Sequence, residues 1–129
     1  MSEKKNVFVL GMNDANRRRL EALPRAGEIE FHTLLRYEES HGAREYDIED
    51  IHARARRRLE AFDGPIDAII GFWDFPVSTM LPMLCDEYGL VGPTLESVLR
   101  CEHKYWSRLV QRESVPDFTP DFAAVDPFA

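Results

Sequence analysis

Two short, unbroken apolar runs that each end at a glycine constrain the fold of this chain more than any other feature. Residues 7–10 precede Gly11, and residues 68–70 precede Gly71. A strand that is apolar on both sides of its pleat is buried on both faces, which is typical of a parallel sheet covered by helices. The two runs therefore predict interior strands of an α/β domain.

Helical patterns and turn signals fill the chain between these two runs. They predict a helix over residues 15–23 and a second strand over residues 29–35. A polar surface loop is predicted over residues 36–47, followed by an amphipathic helix over residues 48–62. Asn13 or Asp14 is placed to cap the first helix, and Asp47 to cap the second, because their side-chain oxygens can accept from free backbone N–H groups.

The chain after Gly71 continues the alternation. Pro76 is predicted to start a strongly apolar helix that Gly89 ends, and residues 90–93 are long enough for a very short fourth strand. Two further helices are predicted, one from the cap Thr94 to about residue 99 and one from about residue 102.

The alternation of strands and helices predicts an α/β fold: a three-layer, Rossmann-like parallel sheet of about four strands with helices on both faces. Right-handed crossovers place the first and third strands side by side near the centre of the sheet. The loops after Leu10 and Ile70 then flank the point where the strand order reverses, which is where open α/β sheets bind ligands.

The residues of these two loops are the candidate substrate crevice. Asn13 and Asp14 follow the first strand, and Phe72, Trp73 and Asp74 follow the third. Two interpretations remain open for Trp73 and Phe75: they line a ligand crevice, or they are core aromatic residues that happen to follow a strand. For Asp74, a cap on the helix that begins after it is favoured over contact with substrate.

Composition narrows the class of partners. The chain has 129 residues and a net charge of -7, which argues against general binding to nucleic acid or to an anionic membrane, since both are negatively charged. Two cysteines without an apolar signal region predict reduced thiols and a cytoplasmic protein. No apolar stretch is long enough to span a membrane.

Catalytic and metal-binding motifs do not occur in the sequence. It contains no Walker-type loop, no Gly-x-Gly-x-x-Gly and no Ser-His-Asp or Cys-His set at recognisable spacing. Cys101 and His103 suggest zinc, but a structural zinc site needs four clustered ligands, and two more are not apparent. We therefore predict no catalytic residue and no metal site within the chain itself.

Two stretches of sequence resemble a known family. They are GFWDFPVSTM, from Gly71, and GLVGPTLESVLRCEHKYWSR, which ends at Arg108. This sequence resembles the N-terminal region of ATP-grasp ligases, relatives of biotin carboxylase and D-alanine–D-alanine ligase, in which a small α/β domain precedes the grasp domain. The resemblance implies that Lys104, at the junction of a helix pair, contacts an ATP phosphate.

The resemblance also implies a division of the chain and a set of partners. Residues 1–113 would be a pre-ATP-grasp Rossmann-like domain, and residues 114–129 would begin a linker or strand into an ATP-grasp domain that lies beyond them. ATP and Mg²⁺ would be cofactors of the complete enzyme, with neither tightly bound to this chain. The substrate would be a small carboxylate that is activated and joined to an amine or similar nucleophile.

Two other classes of function remain open. A self-sufficient flavodoxin-like module would hold a small ligand or a protein at the Trp73 loop, with the C-terminal segment folded back onto its own domain. An interaction protein would use that segment to form a homodimer, because three phenylalanines alternate there with prolines and exposed apolar segments often mark interfaces.

Overall fold

A computed structural model describes residues 3–41, 44–126 and 128 of the chain. Within those residues it contains three β-strands and six α-helices. They divide into two compact units, Met1–Gly92 and Pro93–Ala129. No helix in the described part is both long and apolar enough to cross a membrane.

The first unit is built on a parallel sheet in which the first strand is central. The strands are β1 (Lys5–Met12), β2 (Ile29–Arg36) and β3 (Ala68–Gly71), in the order β2-β1-β3. Both neighbours run parallel to β1. The prediction that the first and third strands lie side by side is confirmed, but β3 is at the edge of the described sheet and not near its centre.

Four helices connect and follow these strands: α1 (Asp14–Glu21), α2 (Tyr37–Ser40), α3 (Ile48–Glu60) and α4 (Val77–Glu87). The short helix α2 corrects the prediction of a plain loop over residues 36–47. It forms because the Glu39 carboxylate accepts a hydrogen bond of 2.9 Å from the Arg36 backbone N–H. Backbone N–H groups at the start of a helix have no partner within the helix, and this bond supplies one.

The two faces of the sheet pack against different helices. Phe8, Leu10 and Ile69 belong to one buried cluster with residues of α3 and α4. Val9 and Met12 belong to a second cluster with Leu20 of α1. Successive residues of a strand point to opposite faces, so the unbroken apolar runs have helices on both sides. The predicted α/β class with helices on both faces is thereby confirmed.

The predicted fourth strand is not present at residues 90–93, which the structure describes as irregular. Gly89, with φ of 63°, ends α4, and the Leu90 N–H donates 2.8 Å back to the Cys85 carbonyl. That donor is therefore used to close the helix, and Pro93 has no N–H to offer. The described sheet consequently has three strands.

The second unit is a pair of helices followed by a tail. The helices are α5 (Leu95–Glu102) and α6 (Lys104–Ser114), and the Thr94 hydroxyl caps α5 by accepting 3.1 Å from the Ser97 N–H. In the tail, the Phe122 ring meets the Tyr105 ring of α6 at 5.8 Å. Phe118 and Phe128 remain exposed.

Candidate functional site

The candidate site lies at the carboxyl ends of β1 and β3. Helix α1 leaves β1 on one face of the sheet, and α4 leaves β3 on the other. Diverging helices of this kind open a crevice at the switch point between two parallel strands. The structure therefore brings the two predicted crevice loops, after Leu10 and after Ile70, to one edge of the sheet.

Trp73 lies across the end of β1. Its indole Nε1–H donates a hydrogen bond of 2.8 Å to the Gly11 carbonyl, and half of the residue remains exposed. Its φ of 78° is in the left-handed region, which is unusual for a bulky residue and is characteristic of strained functional sites. Phe72, in contrast, packs against the cluster of Val9, Met12 and Leu20 and is a core residue.

The absence of a side chain at Gly11 makes room for the indole of Trp73. Its φ is 69°, and a Cβ atom added there would lie 2.8 Å from Trp73 Cδ1 and 2.9 Å from the Phe72 carbonyl oxygen. Both the backbone conformation and the close approach therefore require glycine. The glycine that ends the first apolar run thus has a structural role in the site.

Two groups of rings, which we together call the aromatic cluster, include residues of this loop: Tyr37, His41 and Trp73 form one, and Tyr46 and Phe75 form the other. Tyr37 is stacked on His41 at 4.8 Å and meets Trp73 at 5.0 Å. Tyr46 meets Phe75 edge-on at 5.8 Å. Ring pairs at such distances are mutually stabilising. The sequence prediction missed Tyr37, His41 and Tyr46, although Tyr37 follows β2 directly, at the same edge as the other two loops.

The polar residues of the predicted crevice have local roles. Asn13 is the N-cap of α1, as predicted, and its Oδ1 accepts 2.9 Å from the Asn16 N–H. Asp14 is exposed in the first turn of the same helix. The prediction that Asp74 caps α4 is wrong: α4 has no side-chain cap, and Asp74 instead accepts 2.9 Å from the adjacent Phe75 N–H.

An open cleft of about 410 Å³ adjoins the aromatic cluster on the α2 and α3 side. Its volume is within the range of small-molecule sites. Charged and aromatic side chains line it, among them Glu38, His41, Glu45, Tyr46, Asp50 and Arg54.

Glu39 ties α2 to α3 beneath this cleft. Its carboxylate accepts from both terminal nitrogens of Arg58, at 2.9 and 2.6 Å, and Arg58 also donates 2.7 Å to the Leu34 carbonyl. The hydrogen bonds from Arg58, together with the one from the Arg36 backbone, hold the pKa of Glu39 below its ordinary value. The α2 segment is thus anchored by a two-point ion pair, the strong form of such contacts.

This anchor predicts a pH-dependent contribution to stability. The folded-state pKa of Glu39 is depressed, so the stabilisation is present above the ordinary glutamate pKa and is lost as pH falls through the lower folded value. We expect Glu39→Gln to lower the free energy of unfolding by about 1 kcal/mol at neutral pH. In urea titrations the difference from the parent chain should shrink progressively below the ordinary glutamate pKa.

Glu30→Gln is the matched control, since Glu30 is more than half exposed and pairs with Lys4 at 3.4 Å. It should change stability little at any pH. A deficit of Glu39→Gln that stays constant from neutral to acid pH would contradict the assigned role of Arg58.

Lys104, the predicted phosphate ligand, is the first residue of α6 in the second unit and is exposed. No hydrogen bond or ion pair joins its ammonium group to another described residue. His103 precedes it as the N-cap, with Nδ1 accepting 3.5 Å from the Trp106 N–H. Lys104 thus lies beside free backbone donors at a helix N-terminus, a setting that suits an anion.

Metal binding finds no support in the described part of the chain. No group of three or more His, Cys, Asp or Glu side chains there is arranged to hold an ion. Cys101 is a free, exposed thiol, and His103 serves as a helix cap.

Comparison of the chain with family models, curated proteins and solved structures finds no match in any of the three.

Proposed function

We propose that this chain is the substrate-framing, N-terminal domain of an ATP-grasp ligase. The parent enzyme would use ATP to activate a small carboxylate and join it to an amine or similar nucleophile. The observation that carries the proposal is the sheet edge, where the loops holding Asn13, Asp14, Phe72, Trp73 and Asp74 follow neighbouring parallel strands around a switch point.

The exposed surface of that edge fits a substrate-framing role. Trp73 and Phe75 each present about half of their surface to solvent, beside the exposed carboxylate of Asp74. Ring faces with a few polar groups are typical of sites that orient a small molecule. This chain would supply the surface that orients the substrate, and the grasp domain would supply the groups that carry out the reaction.

The second unit supports the assignment of Lys104. Phosphoryl transfer depends on positioning phosphates and neutralising their charge with Lys, Arg and Mg²⁺. Lys104 has no protein partner among the described residues and lies at the start of α6. In the complete enzyme it would bind an ATP phosphate, with Mg²⁺ held by carboxylates of the grasp domain.

The finer description of the fold follows from the same proposal. A Rossmann-like pre-grasp domain is expected to have about four strands. In the described sheet β2 and β3 are the two edge strands. A fourth strand would pair with one of these edge strands in the complete enzyme.

The proposal predicts that the isolated chain does not bind or hydrolyse ATP. Titration with Mg·ATP to millimolar concentration should leave the fluorescence of Trp73 and Trp106 unchanged, because a single lysine and a helix N-terminus provide a small part of a nucleotide site. Calorimetry of the same titration gives an independent readout. In the complete enzyme, Lys104→Ala should raise the KM for ATP by about tenfold or more.

Lys4→Ala is a suitable control for charge removal, because Lys4 is an exposed lysine of the first unit. Saturable ATP binding by the 129-residue chain, abolished by Lys104→Ala, would show a complete site in this chain and overturn the proposal. ATP turnover by the chain alone would overturn it equally.

A self-sufficient small-ligand module is the second candidate. The half-exposed rings of Trp73 and Phe75 favour it, because their ring partners His41 and Tyr46 line an open cleft of about 410 Å³. This function requires that the chain alone binds a small ligand at the sheet edge without ATP, which distinguishes it from a domain that only completes a larger active site.

A further inference from the structure

The Trp73 indole occupies a recess that other parts of the molecule form. We call this recess the Gly11 shelf: its floor is Gly11 at the end of β1, and its wall is the ring of Tyr37. The indole lies on the floor with Nε1 2.8 Å from the Gly11 carbonyl oxygen and with its ring 5.0 Å from Tyr37. The protein's own Trp73 thus places a flat ring with an N–H donor in this recess.

The wall of the shelf is held in place without Trp73. Tyr37 is stacked on His41 at an interplanar angle of 7°, and His41 Nδ1 is 2.9 Å from the hydroxyl of the buried Ser40. Glu39, in the same helix, is fixed by Arg58. The shelf would consequently keep its shape if the indole moved away.

Trp73 itself is held less firmly. Half of the residue is exposed, and its φ of 78° is a conformation that side chains rarely adopt. Phe75, two residues further along the same loop, is also half exposed. Departure of the indole would cost its hydrogen bond to Gly11 and its contacts with the Tyr37 and His41 rings, which a flat ligand with an N–H donor could replace.

We propose that the Gly11 shelf is a binding site for a planar heterocycle that carries a ring N–H, and that Trp73 is a built-in lid which such a ligand displaces. The ligand would donate its N–H to the Gly11 carbonyl and pack its ring against Tyr37. Gly11 is essential to this site because a Cβ atom there would come within 2.8 Å of a ring atom in the indole position. The inference goes beyond the proposed ligase role, since it requires neither ATP nor Lys104.

The test uses benzimidazole, a soluble flat ring with an N–H, and 1-methylbenzimidazole, which has the same ring without the donor. Binding to the full chain is measured by protein chemical-shift changes and by calorimetry at a pH where both are neutral. Trp73→Ala should bind benzimidazole about tenfold more tightly than the parent chain, because the competing indole is removed. The N-methyl derivative should bind Trp73→Ala about tenfold more weakly than benzimidazole.

A second measurement does not depend on the folding of Trp73→Ala. In Trp106→Phe, Trp73 is the remaining tryptophan, and saturating benzimidazole should shift its emission to the red and increase its quenching by acrylamide at least twofold. Tyr37→Ala in this background should weaken the response about tenfold. Equal binding of the two probes to a folded Trp73→Ala would overturn the proposal, as would unchanged Trp73 quenching at millimolar benzimidazole.

Discussion

Replacing Leu10 with alanine is expected to lower the free energy of unfolding by about 3–5 kcal/mol. Leu10 is completely buried in the central strand, in the cluster that includes Ile69, Val77 and Met80. Truncation removes buried apolar atoms and leaves a cavity, because the sheet and two helices around it can relax only partly. Domains of this size are stable by roughly 5–15 kcal/mol, so the loss would be a large part of the total.

Urea denaturation followed by circular dichroism measures this effect. Leu23→Ala is the matched control, since Leu23 is 49% exposed and its truncation should cost less than about 1 kcal/mol. A loss below about 1 kcal/mol for Leu10→Ala would contradict the close packing of its side chain in this cluster.

Replacing Gly11 with alanine is expected to destabilise the chain by about 2–4 kcal/mol and to detach Trp73 from the sheet edge. Two penalties add here. The φ of 69° costs any residue with a Cβ atom, and the new methyl group would lie 2.8 Å from Trp73 Cδ1 and 2.9 Å from the Phe72 carbonyl oxygen. The carbonyl belongs to the backbone and cannot rotate away, so the loop itself must move.

Gly89→Ala separates the two penalties. Gly89 has a similar φ of 63°, but no described residue comes within 4 Å of the position of its Cβ. Gly89→Ala should therefore lower the free energy of unfolding by about 1–2 kcal/mol, through the backbone conformation alone. In Trp106→Phe, Gly11→Ala should shift the Trp73 emission to the red and Gly89→Ala should not. Equal stability and equal emission in the two variants would disprove the contact of Gly11 with the indole.

These variants bear directly on function, because Gly11 and Trp73 lie at the edge where ligands bind in sheets of this kind. If Gly11→Ala displaces the indole, its methyl group also fills the shelf. The same substitution should then abolish benzimidazole binding, whereas Trp73→Ala should improve it. The two ways of removing the indole are thus expected to have opposite effects on the ligand.

Much of the fold can be predicted from local patterns. The apolar runs before Gly11 and Gly71 marked strands buried on both faces, and β1 and β3 are found there. Asn13 and Asp47 cap α1 and α3 as their side chains predicted. These features depend on a few consecutive residues, since hydrophobic period and capping oxygens act within one or two turns.

The candidate site could be predicted only in part. Its place, at the carboxyl ends of β1 and β3, follows from right-handed crossovers. The contact between Trp73 and Tyr37 could not be predicted, because these residues are distant in sequence and meet only when β2 and β3 flank β1. The direction of the indole depends on φ at Trp73, which no local pattern indicated.

The sequence by itself therefore determined the α/β class, the pairing of the first and third strands and the edge at which the polar and aromatic loops gather. The tertiary structure alone decided that α2 is tied to α3 and that Trp73 covers Gly11. The physical reason is that each of these outcomes depends on which partner a hydrogen-bonding group reaches in space. The Glu39 carboxylate reaches Arg58, and the indole N–H reaches the end of β1.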